Sequence, residues 1–433
     1  MTSLLLRLAA LGGALAVAVA VFVMAASFEL GFWPLALLAL AAFVLAGFTL
    51  LRWSMRASVP AGGTVSVWRW LLGGAAAYAI VAQLLVGRTP VRTLTAAEPT
   101  PETKFWTLPT GSRIAYELAP ARGGSRAHPP VIALHDGPGM PALPFLHALG
   151  SRPLDVLQDE GYDVYYYDQV GAGLSGRLDL TKEGPYTVAR HVADLEAIRE
   201  AIGAPTVILA GTGWGATLAT SYLLTHADRV DKLILESPAA LWAPAWSDMV
   251  NPAARARMTD VQASALAALQ RPPLRLVLGR MMADFSPRAA HRFVADWEAD
   301  QWWTRTTEES IRLGQPNYTC HSDPGHGIPA PSGMGFFAHS YTLADAIALP
   351  DPREALRRIT TQALIIRGTC DYIDWPVSAE YLKVMRGGHY VAIPSAGHFI
   401  WLEQRALWDE VVRAFVRGEK IPLEAYDPGT SGR

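Results

Sequence analysis

A strand-like run, Thr206-Val207-Ile208-Leu209-Ala210, leads into Gly211-Thr212-Gly213-Trp214-Gly215 and continues as a small-residue helix from Ala216 to Leu223. No other stretch narrows the possible folds as much. A tight turn between a buried strand and a helix needs glycine where backbones approach closely, and it projects its middle side chain into the space beyond the strand end. That middle position is where a catalytic nucleophile stands in turns of this kind. Here it is Gly213, which has no side chain with which to attack.

The chain has 433 residues, a formal net charge of −2 and only 18% charged residues, so it offers no electrostatic footprint for nucleic acid. Its apolar excess lies at one end. Residues 8–28, 32–51 and 70–87 are apolar runs long enough to cross a bilayer as helices. They predict a membrane segment over residues 1–87 with three transmembrane helices, and a lipid bilayer as partner. Trp68 and Trp70 stand at the start of the third run, as interfacial anchors do. A signal peptide cleaved near Met24-Ala25-Ala26-Ser27 is the competing reading of the first run, but its length and the two runs directly after it weigh against that. Arg7 precedes the first run and Arg52, Arg56 and Arg69 lie between the second and third, while Phe28-Glu29-Leu30-Gly31 carries no cation. The positive-inside rule then puts the N-terminus inside and everything after the third run outside. The expected location is a bacterial-type inner membrane with an extracytoplasmic catalytic domain. Cys320 and Cys370 suit an oxidising exterior and could form one disulfide; two unpaired thiols are the alternative.

Residues 88–103 are polar and rich in Pro and Thr, an extended linker. Beyond them strands and helices alternate. Phe105–Leu108 and Arg113–Leu118 flank a Pro-Thr-Gly-Ser turn and read as a hairpin. Val131–Leu134, Asp163–Tyr167, Val207–Ala210, Lys232–Leu235, Ala363–Ile366 and Tyr390–Ile393 read as further strands, with a helix over about Val188–Ile202. The class is α/β: a mostly parallel sheet with helices on both faces. Its core falls in two parts, 104–239 and 351–418, followed by a loose tail over 419–433. Between the parts, residues 240–350 lack strand signals and carry Trp242, Trp246, Phe293, Trp297, Trp302 and Trp303, which predicts a helical cap over the ligand-binding edge of the sheet.

Asp371 follows the strand Ala363–Ile366, and His398 follows the strand that ends at Pro394. A carboxylate that orients a histidine, both downstream of the elbow, is the chain order of a hydrolytic triad on an α/β sheet. Asp374 is the second candidate for the acid. His135-Asp136-Gly137-Pro138-Gly139 directly follows Val131–Leu134.

Together these stretches resemble the proline iminopeptidase branch of the α/β-hydrolases. That family carries His-Gly-Gly-Pro-Gly where this chain has His135 to Gly139. Its Asp-Gln-Arg-Gly-x-Gly-x-Ser loop is matched by Asp168-Gln169-Val170-Gly171-Ala172-Gly173-Leu174-Ser175, and its elbow Gly-Gly-Ser-Trp-Gly-Ser-Thr-Leu-Ala by Gly211 to Ala219. The resemblance covers about residues 104–415. It implies an α/β-hydrolase fold, no cofactor and no metal, and a small amide, ester or N-terminal aminoacyl (short peptide) substrate. It also implies an oxyanion hole built from the backbone N–H groups of Trp214 and of the Asp136/Gly137 turn. His135 would lie at the substrate pocket, and Trp297-Glu298 best matches the family's amine-binding glutamate. His321, Asp323 and His326, near Cys320, meet no metal-ligand spacing.

The chain departs from the family at Gly213, where the family has Ser, and at Asp136, where it has Gly. A carboxylate beside the oxyanion hole opposes the negative charge that the hole should stabilise, unless it is protonated or turned away. Three readings of the empty elbow follow. The serine was lost, by substitution or naturally, on a hydrolase scaffold. Or the site does serine-free chemistry, with His398 and Asp371 activating water or moving protons. Or the protein is a non-enzymatic binder, similar to the N-myc-downstream-regulated family with its serine-less elbow. A covalent acyl-serine intermediate at residue 213 is excluded in every case.

Overall fold

The computed structural model describes residues 2–56, 67–83, 92–94, 97–123, 128–180, 184–320, 328–329 and 332–426. They form two compact units: Met1–Thr93 with Asp179–Gly184 and Arg271–Ala299, and Leu94–Leu178 with Pro185–Gln270 and Asp300–Arg433.

In the first unit, helices Thr2–Met24 and Phe32–Arg56 pack along each other across a short 3-10 turn, Ala25–Phe28. The chain reverses at Glu29, whose φ is 54°. Segments Leu4–Phe28 and Phe32–Met55 are long and apolar enough to cross a membrane, and only 33% and 28% of the most apolar 18-residue stretch of each is buried within the protein. Leu5, Leu37, Leu45 and Trp53 are among the apolar side chains left exposed. The third expected span lies only partly within the described residues. Helix Val67–Val81 has 15 residues, about 22 Å at 1.5 Å per residue against a hydrocarbon core of about 30 Å; residues 84–87 of that run lie outside the described residues. Two helices, not three, therefore qualify as spans among the described residues.

The segment expected to form a single cap is divided between the units. Arg271–Ala299 groups with the N-terminal helices. Helix Leu274–Ala283 buries Leu276, Leu278 and Met282. Phe293, at the end of helix Pro287–Phe293, meets Phe22 edge-on at 5.7 Å and stacks on Phe32 at 5.9 Å. Arg288 reaches Glu29 at 3.0 Å. No strand lies between 240 and 350 among the described residues, which marks an insertion but carries no information about which partner covers each of its helices.

The second unit is built on an eight-stranded sheet. Its strands are β1 (Lys104–Thr107), β2 (Arg113–Ala119), β3 (Val131–Leu134), β4 (Val164–Tyr167), β5 (Val207–Thr212), β6 (Val230–Glu236), β7 (Gln362–Gly368) and β8 (Gly387–Ile393). Their spatial order is β1-β2-β4-β3-β5-β6-β7-β8. The hairpin β1–β2 is antiparallel, and so is the pair β2–β4; every other pairing is parallel. Central strands buried on both faces read as continuous apolar runs, which is why β3, β5, β6 and β7 stood out in the sequence. One face packs Ile208, Ile234, Ile366 and Val391 with Trp408, Val411, Val412 and Phe415 of the C-terminal helix Arg405–Arg417. Helix Val188–Ile202 starts at Thr187, whose side chain accepts the N–H of Arg190, and stops at Gly203 with φ 75°, an ordinary N-cap and left-handed C-terminal stop.

Part of the tail is tied down. The N–H of Tyr426 donates to the carbonyl of Tyr390, and its ring stacks on Trp375 at 4.9 Å. Cys320 and Cys370 form a disulfide with Cα atoms 5.3 Å apart, joining the segment after helix Asp296–Tyr318 to the loop that carries Asp371.

Candidate active site

The elbow is built as its glycines require. A Cβ on Gly211 would lie 2.4 Å from the backbone of Gly215, and one on Gly215 would lie 2.0 Å from the carbonyl oxygen of Leu134. The helix Trp214–His226 thus presses so closely on β5 and β3 that neither position admits a side chain. Between them Gly213 has φ 52° and ψ −113°, a strained backbone that projects whatever stands there over the sheet edge.

A side chain from another strand fills that place. Asp136, two residues beyond β3, puts Oδ1 2.0 Å from where a Cβ on Gly213 would be. The same oxygen accepts the N–H of Trp214 at 2.8 Å and the N–H of Gly137 at 2.8 Å. These are the two amides expected to form the oxyanion hole. Oδ2 faces Nε2 of His398 at 3.4 Å, and about 20% of the Asp136 side chain stays exposed. Burial works against the carboxylate, but the His398 ring and the two amides outweigh it and hold its pKa below the ordinary 3.8.

His398 is buried between two carboxylates, with Nδ1 3.0 Å from Oδ1 of Asp371. Burial disfavours a charged ring, yet Asp371 and Asp136 together raise it to about 10. The imidazole is therefore protonated at neutral pH and donates from both nitrogens. Asp371 is fully buried; burial would raise its carboxyl, but the charges of His398 and Arg367 prevail and lower it. Asp374, the alternative acid, instead caps helix Trp375–Val384 by accepting the N–H of Trp375 at 2.9 Å.

Two neighbours fix this arrangement. The N–H of Gln169 donates to Nε2 of His135 at 2.8 Å, so the ring proton sits on Nδ1 and donates to the Asp136 carbonyl at 2.7 Å. Burial lowers His135 to about 4 and keeps it neutral. The Gln169 side chain donates to the His135 carbonyl at 3.2 Å and accepts from Nε1 of Trp214 at 2.9 Å, clamping the β3 turn to the elbow. Asp168 in turn accepts the N–H groups of Ala142, Leu143 and Leu174, binding the loop it begins to the one that follows the β3 turn.

Sequence reasoning missed Glu236, at the end of β6. It is buried, accepts from the Thr212 hydroxyl at 2.9 Å and from the N–H of Ile400 at 3.2 Å, and burial raises it to about 7. Its only signal was a lone carboxylate ending an apolar strand. Asp136 and Glu236 border one cavity whose walls include Phe145, Leu146, Phe399, Trp401 and Trp408.

The structure brings together Gly213, Trp214, Asp136, Gly137, His135, Asp371 and His398. Glu298 and Trp297 belong to the other compact unit. Glu298 is buried there, and Nε of Arg275 already holds it at 2.7 Å. His321, Asp323 and His326 lie outside the described residues.

Residues 129–404, well over half of the chain, match the family described as alpha/beta hydrolase fold. A proline iminopeptidase of Heyndrickxia coagulans is 36% identical over 138 residues, 32% of this chain and 43% of that enzyme, so the match spans less than half of the relative's length. A proline iminopeptidase of Elizabethkingia meningoseptica is 24% identical over 317 residues, 71% of this chain and 95% of its own. A (lyso)-N-acylphosphatidylethanolamine lipase of Bos taurus is 28% identical over 259 residues, 58% of this chain and 70% of its own.

Proposed function

This chain belongs to the alpha/beta hydrolase fold family, and from that premise we propose that it is a natural, serine-free member of the proline iminopeptidase-like branch, held at a membrane by its N-terminal helices. One observation carries the reading: Asp136 and the missing side chain of Gly213 are a single coupled change. A serine at 213 and Asp136 in its present place exclude each other, because the serine Cβ would fall 2.0 Å from Oδ1. A serine merely deleted from a working site would leave a glycine at 136, as in the family pattern.

The coupled change removes acyl transfer by serine and fills the oxyanion hole with a resident anion. It leaves a carboxylate–imidazolium–carboxylate row in which two anions flank one cation. Burying such charges costs several kcal/mol per ion before their attraction offsets it, and groups perturbed in this way cluster at functional sites. A row of this kind supports serine-free chemistry on a small molecule, water activation or proton transfer by His398 and Asp371, in place of the amide and ester hydrolysis that its relatives' names describe. The membrane reading is supported by the two long helices that leave most of their apolar surface uncovered, and an extracytoplasmic site by the disulfide.

The occupied amides favour one alternative, a non-enzymatic binder, since neither Trp214 nor Gly137 offers a free N–H to a substrate carbonyl. The test is a panel of prolyl and other aminoacyl amides and acyl esters, assayed with the wild type, Gly213→Ser and the double variant Asp136→Gly/Gly213→Ser. Only the double variant is expected to hydrolyse them. Turnover of a prolyl amide by the wild type, or labelling of Gly213→Ser alone by a serine-directed phosphonate, would overturn the reading.

A further inference from the structure

Resting on the membrane reading, we infer that the helical unit binds one phospholipid of net negative charge. An acyl chain fills a groove between the N-terminal helices and helix Leu274–Ala283, and the phosphate sits on Arg292. The groove is an apolar cavity of about 410 Å³. Its walls include Leu11 and Phe22 of the first helix, Phe32 and Phe43 of the second, and Val277 and Met281 of helix Leu274–Ala283. Among the described residues Tyr78 is its only polar side chain. Such walls offer water no hydrogen bonds, and leaving them bare forfeits dispersion contacts, so the fitting occupant is a hydrocarbon.

Length decides which hydrocarbon. The groove follows the first helix from Leu11 to Phe22 and the second from Phe32 to Phe43, about 16 Å along each at 1.5 Å per residue. That is about half of a hydrocarbon core of about 30 Å, the depth of one leaflet and so of one acyl chain. On the facing helix Leu274, Val277, Leu278 and Met281 stand at i, i+3, i+4 and i+7, an apolar stripe turned to the groove. Leu274 and Met281 are each still 42% exposed. Gly12 keeps the groove open. A glycine inside a helix is destabilising relative to alanine and is well placed where another part of the protein comes close. A Cβ on Gly12 would meet nothing within 4 Å. Packing inside the protein does not call for this glycine, whereas a chain lying in the groove does.

The headgroup end is marked by charge. Phe32 also borders a second cavity of about 220 Å³, whose walls include Trp33, Arg275, Arg292 and Phe293. Arg275 is held by Glu298 and by the carbonyl of Phe293. Nearby, Arg288 reaches Glu29 at 3.0 Å and His291 faces Asp296 at 3.5 Å. Arg292 is exposed and has no ion pair or hydrogen bond among the described residues. A phosphate supplies the anion it lacks, in the fork geometry that a guanidinium favours. Glu29, Glu298 and Asp296 already face cations, which leaves none of them for the ammonium group of a zwitterionic headgroup. The two cavities meet at Phe32, so one molecule occupies both. All their residues belong to the first compact unit, and Asp136, Asp371 and His398 belong to the second. The lipid is therefore a structural ligand and not a substrate.

The experiment uses the full-length chain purified in detergent, with phosphatidylglycerol or phosphatidylcholine added. Native mass spectrometry counts the lipids retained, and thermal unfolding reads the stabilisation that binding brings. The expected result is one phosphatidylglycerol per chain, bound about tenfold more tightly than phosphatidylcholine, with a melting temperature that rises to a plateau. Arg292→Gln should lose the preference. Gly12→Trp fills the groove and should retain neither lipid, while melting no lower than the lipid-free wild type; Gly12→Ala should bind as the wild type does. Equal retention by the wild type and Gly12→Trp, or an unchanged preference in Arg292→Gln, would overturn the inference. So would a dimer that Gly12→Trp dissociates, since a second copy would then be the occupant. Should Gly12→Trp not fold, Arg292→Gln, at an exposed position, decides alone. Fractionation of expressing cells separates this failure from that of the membrane reading. A chain that stays in the membrane pellet through an alkaline wash yet retains no lipid loses the site and keeps the anchor, and a chain recovered in the soluble fraction loses both.

Discussion

The two halves of the site obey different rules. At the ends of β7 and β8, Asp371 and His398 each make sense alone: a carboxylate and a histidine after successive parallel strands, 3.0 Å apart. At the ends of β3 and β5 neither residue does. Gly213 alone is a missing nucleophile, and Asp136 alone is a charge in the wrong place. Only the distance between them shows that one occupies the space the other leaves. A departure from a family pattern therefore has to be judged together with the residues that share its volume, and those can lie far off in sequence.

The sharpest way to break this comparison is to reverse both changes at once. Asp136→Gly/Gly213→Ser should exceed either single variant in prolyl amide hydrolysis by about a thousandfold or more, the scale on which triad and oxyanion-hole groups act. Additive behaviour of the two single variants would show that the sites are not coupled.

The next effect concerns the charge that links the halves. Asp136→Asn should bring the His398 titration down from about 10 towards the ordinary 6.5, followed through the ring proton resonances by NMR. The pH dependence of stability has a definite sign. A histidine raised on folding adds stability that is complete below about pH 6.5 and is lost as pH climbs through about 10. Asp136 and Asp371, both lowered on folding, add stability above the ordinary 3.8 that is lost as acid protonates them. Chemical denaturation across pH should therefore show a decline on the alkaline side that is much reduced in Asp136→Asn. An unchanged alkaline limb would mean that the second carboxylate does not hold the ring proton.

A smaller effect tests how the β7 half is braced. Replacing Cys320 and Cys370 by serine opens a loop whose ends are 50 residues apart, and should lower unfolding stability by roughly 3–4 kcal/mol. The smallest lies beneath the elbow. Thr212→Val leaves Glu236 Oε2 without its hydroxyl partner and should cost about 1–2 kcal/mol, read as a lower melting temperature with the His398 titration unmoved.

Much of this was legible in the sequence because it rests on backbone necessity. The elbow glycines, the strand runs and the helix Val188–Ile202 follow from close approach, double-sided burial and a cap. The acid and the base were legible because strand ends face one edge of a parallel sheet. Glu236 was not, since a buried carboxylate is indistinguishable by sequence from an exposed one until its partners Thr212 and Ile400 are in place. The partner of Glu298 was not legible either: an acidic residue beside a tryptophan says nothing of Arg275, which holds it at 2.7 Å. The division of residues 240–350 between the two units escaped because apolar composition registers burial without saying against what.

The division of residues 240–350 between the two units changes what it would take to separate the N-terminal helices from the rest of the protein. The chain enters the helical unit at its N-terminus and again through Arg271–Ala299, where Phe293 wedges against Phe22 and Phe32 and Arg288 clasps Glu29. A protease that cuts between the N-terminal helices and β1 leaves those helices in contact with Arg271–Ala299, a segment of their own unit that stays covalently continuous with the strands. Releasing the helices would require a second event that breaks these contacts, so a single nick in the chain does not set them free.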